Sequence, residues 1–478
     1  MAKKKEEFKY LSEYIPQAAK TYTASRTGFG GINTLDGSDT GELSSAVNIS
    51  TDKLPYLVPA QTPLEISSGY SNPISAHAFG DFILVIYRDD TQIKADYIKG
   101  TNKYTGIIKD TGASESDEKP RSVVQFNKYN GDILDGSYDK KLIIFPDKLS
   151  MDYDISDNFT LASISTTENP VPDMNYVTVH LSRLWGVDGD RVYASGFNDY
   201  TNWNLDTAEE SLSSNAWVTT SQSNGKNDGT FTGITTYDGH TVVFKKDFMQ
   251  QTYNTKNPFR ISDITAIGAT DNRGICEMDG ILFFVSSDGV YYFSGGYPSR
   301  CSEKLDVVDW SGSICGAWDH TLYVYVPSKN TVYTFSSGAW GNLDCSDIIS
   351  LTSNDEGIFA LTSSGQLKKL NSGAFTQGFE CETDLIIGNN GLSKRKLQNV
   401  LIRAYIGDGA SLSGVENNGV TVFSSNGMTG NVVLSCLVRM TSAYAHRIKF
   451  TGSGYVKIYG MELRYVYGGK SYVNESGY

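Results

Sequence analysis

The sequence predicts an all-β fold: a six- or seven-bladed β-propeller followed by a C-terminal antiparallel β-sandwich. Three observations predict it. One phrase recurs seven times: an apolar strand, a polar turn usually carrying Asp or Gly, and a second aromatic-rich strand. The copies open near Gly80, Lys140, Arg183, His240, Gly280, His320 and Gly357, a mean step of roughly 46 residues, which suits a four-stranded blade. The 47 Gly, 30 Tyr and 21 Phe among 478 residues favour many short strands joined by tight turns. No stretch beyond the N-terminal arm sustains a 3.6-residue apolar period, so helix is not expected. One such unit cannot bury both of its faces, and several must stack around an axis.

Taken in order, residues 1–27 form a polar N-terminal arm, with a short helix expected over residues 6–14 and stopped by Pro16. Residues 28–60 are the first part of a propeller domain spanning 28–370. Their glycines and Asn33 allow left-handed turns. Val47, Ile49, Leu54, Leu57 and Val58 suggest one or two strands, expected to close the ring against the last blade.

Seven hairpin cores follow: GDFILVIYRDDTQIKADYI, KKLIIFPDKLSMDYD, RLWGVDGDRVYASG, HTVVFKKDFMQQTY, GILFFVSSDGVYYFSG, HTLYVYVPSKNTVYTFSS and GIFALTSSGQLKKL. A further short strand precedes most of them, as in TGITTYDG before His240 and GICEMDG before Ile281. The copies at 240, 280 and 320 are evenly spaced. Longer insertions at 80 and 140 leave six and seven blades both open. The Asn-, Ser- and Asp-rich insertion at 203–229 reads as an exposed loop. Beyond about Asn371 the strands lengthen and the repeat stops, so residues 371–478 read as a separate β-sandwich.

The formal net charge of −13 repels phosphate. It disfavours stable nucleic-acid binding by the whole chain, and suits either a conduit through which DNA slides or plain solubility. All six cysteines lie in the second half without a CxxC pair, which argues against a zinc site or a disulfide framework. The N-terminus lacks the apolar core of a secretory signal, and no run is long enough to span a bilayer.

No catalytic, cofactor-binding or metal-binding residue is expected. His77, His180, His240, His320 and His446 are scattered. His240 and His320 read as occupying the same place in two repeats, a turn role. Asp288-Gly289 in SSDGVYYF reads as a hairpin turn whose backbone angles suit Asp-Gly. The segment lacks the Thr-Trp ending of a sialidase-type Asp box. Asp152, Asp154 and Asp157 lack the glycine and terminal glutamate of an EF-hand and read as an acidic surface turn. Trp185 and Trp318 sit beside apolar strands and read as core. Trp203 and Trp217 flank the polar insertion and are the candidates for an exposed contact.

Three stretches together carry a resemblance. They are GGINTLDG…GELSSAVNIS…LPYLVPA, then VTVHLSRLWGVDGDRVYASGFNDYTNW, then the long block from GITTYDGHTVVF to FSGGYP. In order and spacing, over about residues 28–305, the chain resembles tailed-bacteriophage tail and neck propeller proteins, the stabilisation or tail-nozzle type. It departs from them in the Cys- and Trp-rich stretch 307–345 and in LPYLVPA, which holds no Arg.

The resemblance implies a virion structural protein rather than an enzyme, assembled in the host cytoplasm. Copies would form a ring around the DNA channel and contact neighbouring portal, neck or tail proteins, with only non-specific passage of DNA. It implies that Gly31, Asn33 and Asn48 shape the opening turns, that Arg183 and Trp185 brace a blade, and that Asp288 and Gly289 form a blade turn. Two alternatives remain at this point: a virion adhesin recognising host glycan, and a propeller glycosidase with converging acids at its axis.

Overall fold

The computed structural model describes residues 21–35, 41–129, 138–205, 214–220, 229–384, 395–416, 419, 421–425, 427–437, 443 and 445–467. The helix expected over residues 6–14 lies outside them. The chain forms two compact units, Gln61–Ala374 and a second made of Met1–Ala60 with Phe375–Tyr478.

Within Gln61–Ala374 the strands form seven four-stranded antiparallel blades, which resolves the count at seven. The inner strands are Pro73–Phe79, Ser122–Tyr129, Tyr176–His180, Gly233–Tyr237, Ile275–Met278, Ile314–Trp318 and Ile348–Asn354, numbered here as blades 1 to 7. Each expected hairpin core supplies the two middle strands of a blade, as with Ile281–Ser286 and Gly289–Phe293 in blade 5. The outermost strand of blade 3, Trp217–Thr220, lies in the stretch expected to be a loop. In that stretch, residues 206–213 and 221–228 lie outside the described residues.

Alternation along the second strand of each blade packs the ring. In Phe82–Asp89, Ile83 and Val85 join Phe359 and Leu361 of blade 7. Leu84 and Ile86 on the other face join Leu142 and Ile144 of blade 2. The same two-residue period puts Val243 against Trp185 of blade 3, and Val242 and Phe244 against Leu282 and Phe284 of blade 5. Each such fully buried side chain contributes about 1.5–3 kcal/mol.

Hydroxyl groups link the inner strands. Ser122 Oγ accepts from the Val177 amide at 3.1 Å and donates to the Val177 carbonyl. Thr236 Oγ1 donates to the Val179 carbonyl at 3.0 Å. Ser350 Oγ accepts from the Ala76 amide at 3.2 Å and donates to its carbonyl at 3.1 Å. This last pair ties blade 7 to blade 1 and closes the ring.

Two expectations about closure need correction. The strand that completes blade 7 is Leu64–Ser68, paired antiparallel with Gln366–Lys369. It lies beyond the 28–60 segment expected to do this. Residues up to Ala60 instead cluster with the C-terminal unit. Thr21–Arg26, expected to be part of an arm, is an edge strand there, paired with Val456–Tyr467. Leu43–Val47 pairs with Gly378–Thr383.

The C-terminal sandwich therefore draws strands from both ends of the sequence. One sheet runs Thr21–Arg26, Val456–Tyr467, Arg395–Ile406, Gly430–Leu437. The other runs Leu43–Val47, Gly378–Thr383, Ile448–Ser453, Ser411–Glu416, Thr421–Ser424. Phe29, Leu43, Phe379, Val400, Ile402, Phe450 and Ile458 fill the space between them. Among the described residues, the only helical turns are two three-residue 3-10 segments, Glu115–Asp117 and Asn272–Gly274.

The inner hairpins of blades 3 to 6 share one turn. Pairs His180↔Arg183, Tyr237↔His240, Met278↔Ile281 and Trp318↔Thr321 each enclose two residues. Both residues of each turn are left-handed: Leu181 and Ser182 (50°, 54°), Asp238 and Gly239 (45°, 72°), Asp279 and Gly280 (54°, 73°), Asp319 and His320 (45°, 60°). This is the primed turn whose twist matches a hairpin. It also corrects the expected equivalence of two histidines. His320 sits inside its turn where the others carry Gly or Ser, whereas His240 is the first strand residue after its own.

Candidate functional site

The inner strands begin at one end of the ring, and three of these beginnings meet in a cleft of about 180 Å³. It is lined by Lys119, Pro120 and Arg121 before blade 2, Asn175 and Tyr176 at blade 3, and Asp271, Asn272 and Arg273 before blade 5, with Pro146 alongside. Two arginines hold it together. Arg121 is buried and grips Asp147 with two bonds, Nε to Oδ2 at 2.8 Å and Nη2 to Oδ1 at 3.1 Å. Its Nη1 donates to the carbonyls of Asp117 and Lys119, which fixes the backbone that presents Lys119.

Arg273 binds Asp271 in the same two-pronged way, Nε to Oδ1 at 3.0 Å and Nη2 to Oδ2 at 2.7 Å. Asp271 also caps the 3-10 turn by accepting from the Arg273 amide at 2.8 Å. The remaining arm of Arg273, Nη1, donates to the Ile349 carbonyl at 3.2 Å. That bond runs from blade 5 past blade 6 to the inner strand of blade 7, so the guanidinium bridges two blades that are not neighbours.

Burial opposes charge at both groups, but the mutual bonds win. The Asp271 carboxyl is held below its usual range and the Arg273 guanidinium above its own. Burial, then the charge of Asp271, raises the Tyr176 phenol. On the wall of blade 1, burial pushes half-buried His77 down to about 4.

None of the residues expected from sequence lines this cleft. In the sandwich unit, Gly31 accepts from the Leu43 amide at 3.0 Å. Asn33 Nδ2 donates to Glu42 Oε2 at 2.6 Å. Asn48 is left-handed at φ 58° and its Nδ2 donates to the Gly378 carbonyl at 2.8 Å. Arg183 and Trp185 are buried in blade 3. Arg183 Nη1 donates to the carbonyls of Ser195 and Asn215, and Trp185 Nε1 donates to the His180 carbonyl at 3.0 Å.

Asp288 does stand in a turn, but Gly289 does not. The pair Ser286↔Gly289 encloses Ser287 and Asp288, and none of these residues is left-handed. Gly289 instead leaves room for its neighbours, since a Cβ there would lie 2.5 Å from Arg300 Nε and Ser302 Oγ and would make those side chains shift.

The exposed-contact expectation for Trp203 and Trp217 is likewise corrected. Trp203 is 7% exposed and packs in the core between blades 2 and 3, its Nε1 donating to the Tyr200 carbonyl at 3.0 Å. Trp217 is half-buried against Trp185 and Phe259. Polar neighbours in sequence hid the apolar seam each ring fills.

No group of three or more His, Cys, Asp or Glu is placed to share a metal ion among the described residues. Five cysteines are unpaired there, and burial pushes Cys345 up to about 11 and Cys301 up to about 12, which keeps both thiols protonated near neutral pH.

No protein-family model and no curated protein matches the chain. Among solved structures it is similar to the computationally designed Ika8 protein, at 11% identity and TM-score 0.39, covering 65% of this chain and 100% of that one. It is also similar to the extracellular domain of the putative hybrid two component system BT4673 from B. thetaiotaomicron, at 12% identity and TM-score 0.43, covering 74% of this chain and 45% of that one. A third is the WD40 domain of Toxoplasma gondii coronin, at 10% identity and TM-score 0.37, covering 74% and 86%. The likenesses are too loose to bear on function. The propeller assignment rests on the seven blades and their closed seam.

Proposed function

We propose that this chain is a structural component of a tailed-bacteriophage virion, in the tail or neck, where copies assemble into a ring around the DNA channel. The observation that carries the reading is the state of the propeller axis. Its arginines are spent on carboxylates and carbonyls of the same chain, and Arg273 ties blade 5 to blade 7. An axis tied in this way acts as a brace. DNA would pass through the opening enclosed by the ring of copies, outside any single propeller, and the net charge of −13 would keep it from adhering.

The order and spacing of the phage-like stretches over residues 28–305 support the same reading. The partners are other copies and adjacent portal, neck or tail proteins, met through interfaces of obligate size. The role is mechanical, without turnover, in the virion. The test is protein composition of purified particles: the chain is expected in a fixed multiple per particle and lost with the ring when its gene is disrupted. A monomer absent from particles would contradict the proposal.

A further inference from the structure

We infer that the axial cleft between blades 2, 3 and 5 is a binding site for a carboxylate group. The charges of its lining do not cancel. Arg121 is balanced by Asp147 and Arg273 by Asp271, each through two bonds. Lys119 is left as the uncompensated cation, exposed and with no hydrogen bond or ion pair to its ammonium among the described residues.

Its position is not accidental. The backbone carbonyl of Lys119 is gripped by buried Arg121 at 2.6 Å, so the ammonium is presented from a fixed root. Tyr176, which lines the same cleft, carries a neutral hydroxyl that is a potential donor. Asn272 is oriented by accepting from the Ile234 amide at 3.0 Å. The one acid of the lining, Asp271, has both oxygens held by Arg273 and cannot serve a cation. An acceptor-only group of single negative charge fits this donor surplus. A dianion would leave one charge unmatched beside Asp271.

Size agrees. A cleft of about 180 Å³ has room for a carboxylate with a few carbons. The carboxylate could come from a free organic acid or from an acidic side chain of a peptide, and the experiment separates them.

Full-length protein is titrated by calorimetry with propionate, with an end-blocked octapeptide carrying one Glu and with inorganic phosphate, in wild type, Lys119→Ala and Tyr176→Phe. Lys119 is exposed, so its variant is expected to fold, and circular dichroism verifies this. Binding of propionate or of the peptide, weakened about tenfold by Lys119→Ala and less by Tyr176→Phe, supports the site, and whichever arm binds names the source. Binding of neither, binding indifferent to Lys119→Ala, or preference for phosphate over both would overturn it. None of these results depends on whether the chain resides in a virion.

Discussion

A propeller blade buries both faces of its middle strands and a sandwich sheet only one, and the two units do it with contacts of different reach. Blades 1 to 6 pair strands that follow one another in the chain, as Met278 with Ile281, and blade 7 takes its outer strand from far away. The sandwich bonds Gly41 to Asp384 across 343 residues. The interiors differ too. Propeller seams are joined by hydroxyls that both accept from and donate to a neighbouring inner strand, as Ser350 does with Ala76. The sandwich instead pairs two buried side chains, Glu416 at 1% exposure and His446 at 3%, with Nδ1 2.9 Å from Oε1, whereas buried Arg183 of the propeller is met by backbone carbonyls. A hydroxyl seam can be repeated around a ring. A buried acid–base pair fits one partner only, which suits a unit whose strands must find each other from opposite ends of the chain.

Breaking the sandwich pair should have the largest effect. Glu416→Ala is expected to cost about 3–5 kcal/mol, because His446 loses its partner inside the core, and Glu416→Gln is expected to cost less. Urea unfolding of both variants measures this, and equal small losses would remove the pair from the account.

Next is the closure of the ring. Gly365 has φ of 76°, and a Cβ there would lie 2.0 Å from the Tyr70 carbonyl. Gly365→Ala is expected to cost about 3 kcal/mol and to expose residues 61–72 to limited proteolysis. The seam comes third: Ser350→Ala strands the Ala76 amide and carbonyl and should cost about 1–2 kcal/mol by the same unfolding assay.

The smallest effect is a pH dependence confined to the propeller. Burial holds His77 at about 4 against an ordinary value of 6.5, so between those values the unfolded chain takes up a proton that the folded chain refuses. Stability is therefore fully present above about 6.5 and falls as the pH drops towards 4. His77→Gln should flatten that decline by about 1 kcal/mol, allowing for partial exposure. An unchanged profile in thermal melts from pH 7 to pH 4.5 would contradict it.

The same contrast of reach decides what the sequence discloses. The blade hairpins were legible because apolar alternation and Asp-Gly turns are local signals. The seventh blade was less so, since its outer strand, Leu64–Ser68, is largely exposed and pairs with Gln366–Lys369 far downstream. Thr21–Arg26 and Leu43–Val47 were assigned to the wrong unit for the same reason: nothing near them in sequence marks a partner beyond residue 375. The shift of His320 against His240 escaped because a left-handed histidine takes the place of a glycine. The cleft residues Lys119, Arg121, Asp271 and Arg273 sit in short polar segments before inner strands. Only the shared position before an inner strand could have singled them out.

The measurement that tests the central claim most directly is electron cryomicroscopy of the assembled protein. The account predicts a closed ring of copies around an open channel, each copy carrying seven blades and density for Arg273 joining blade 5 to blade 7. Isolated single copies, or a propeller whose own open bore threads the DNA, would contradict it.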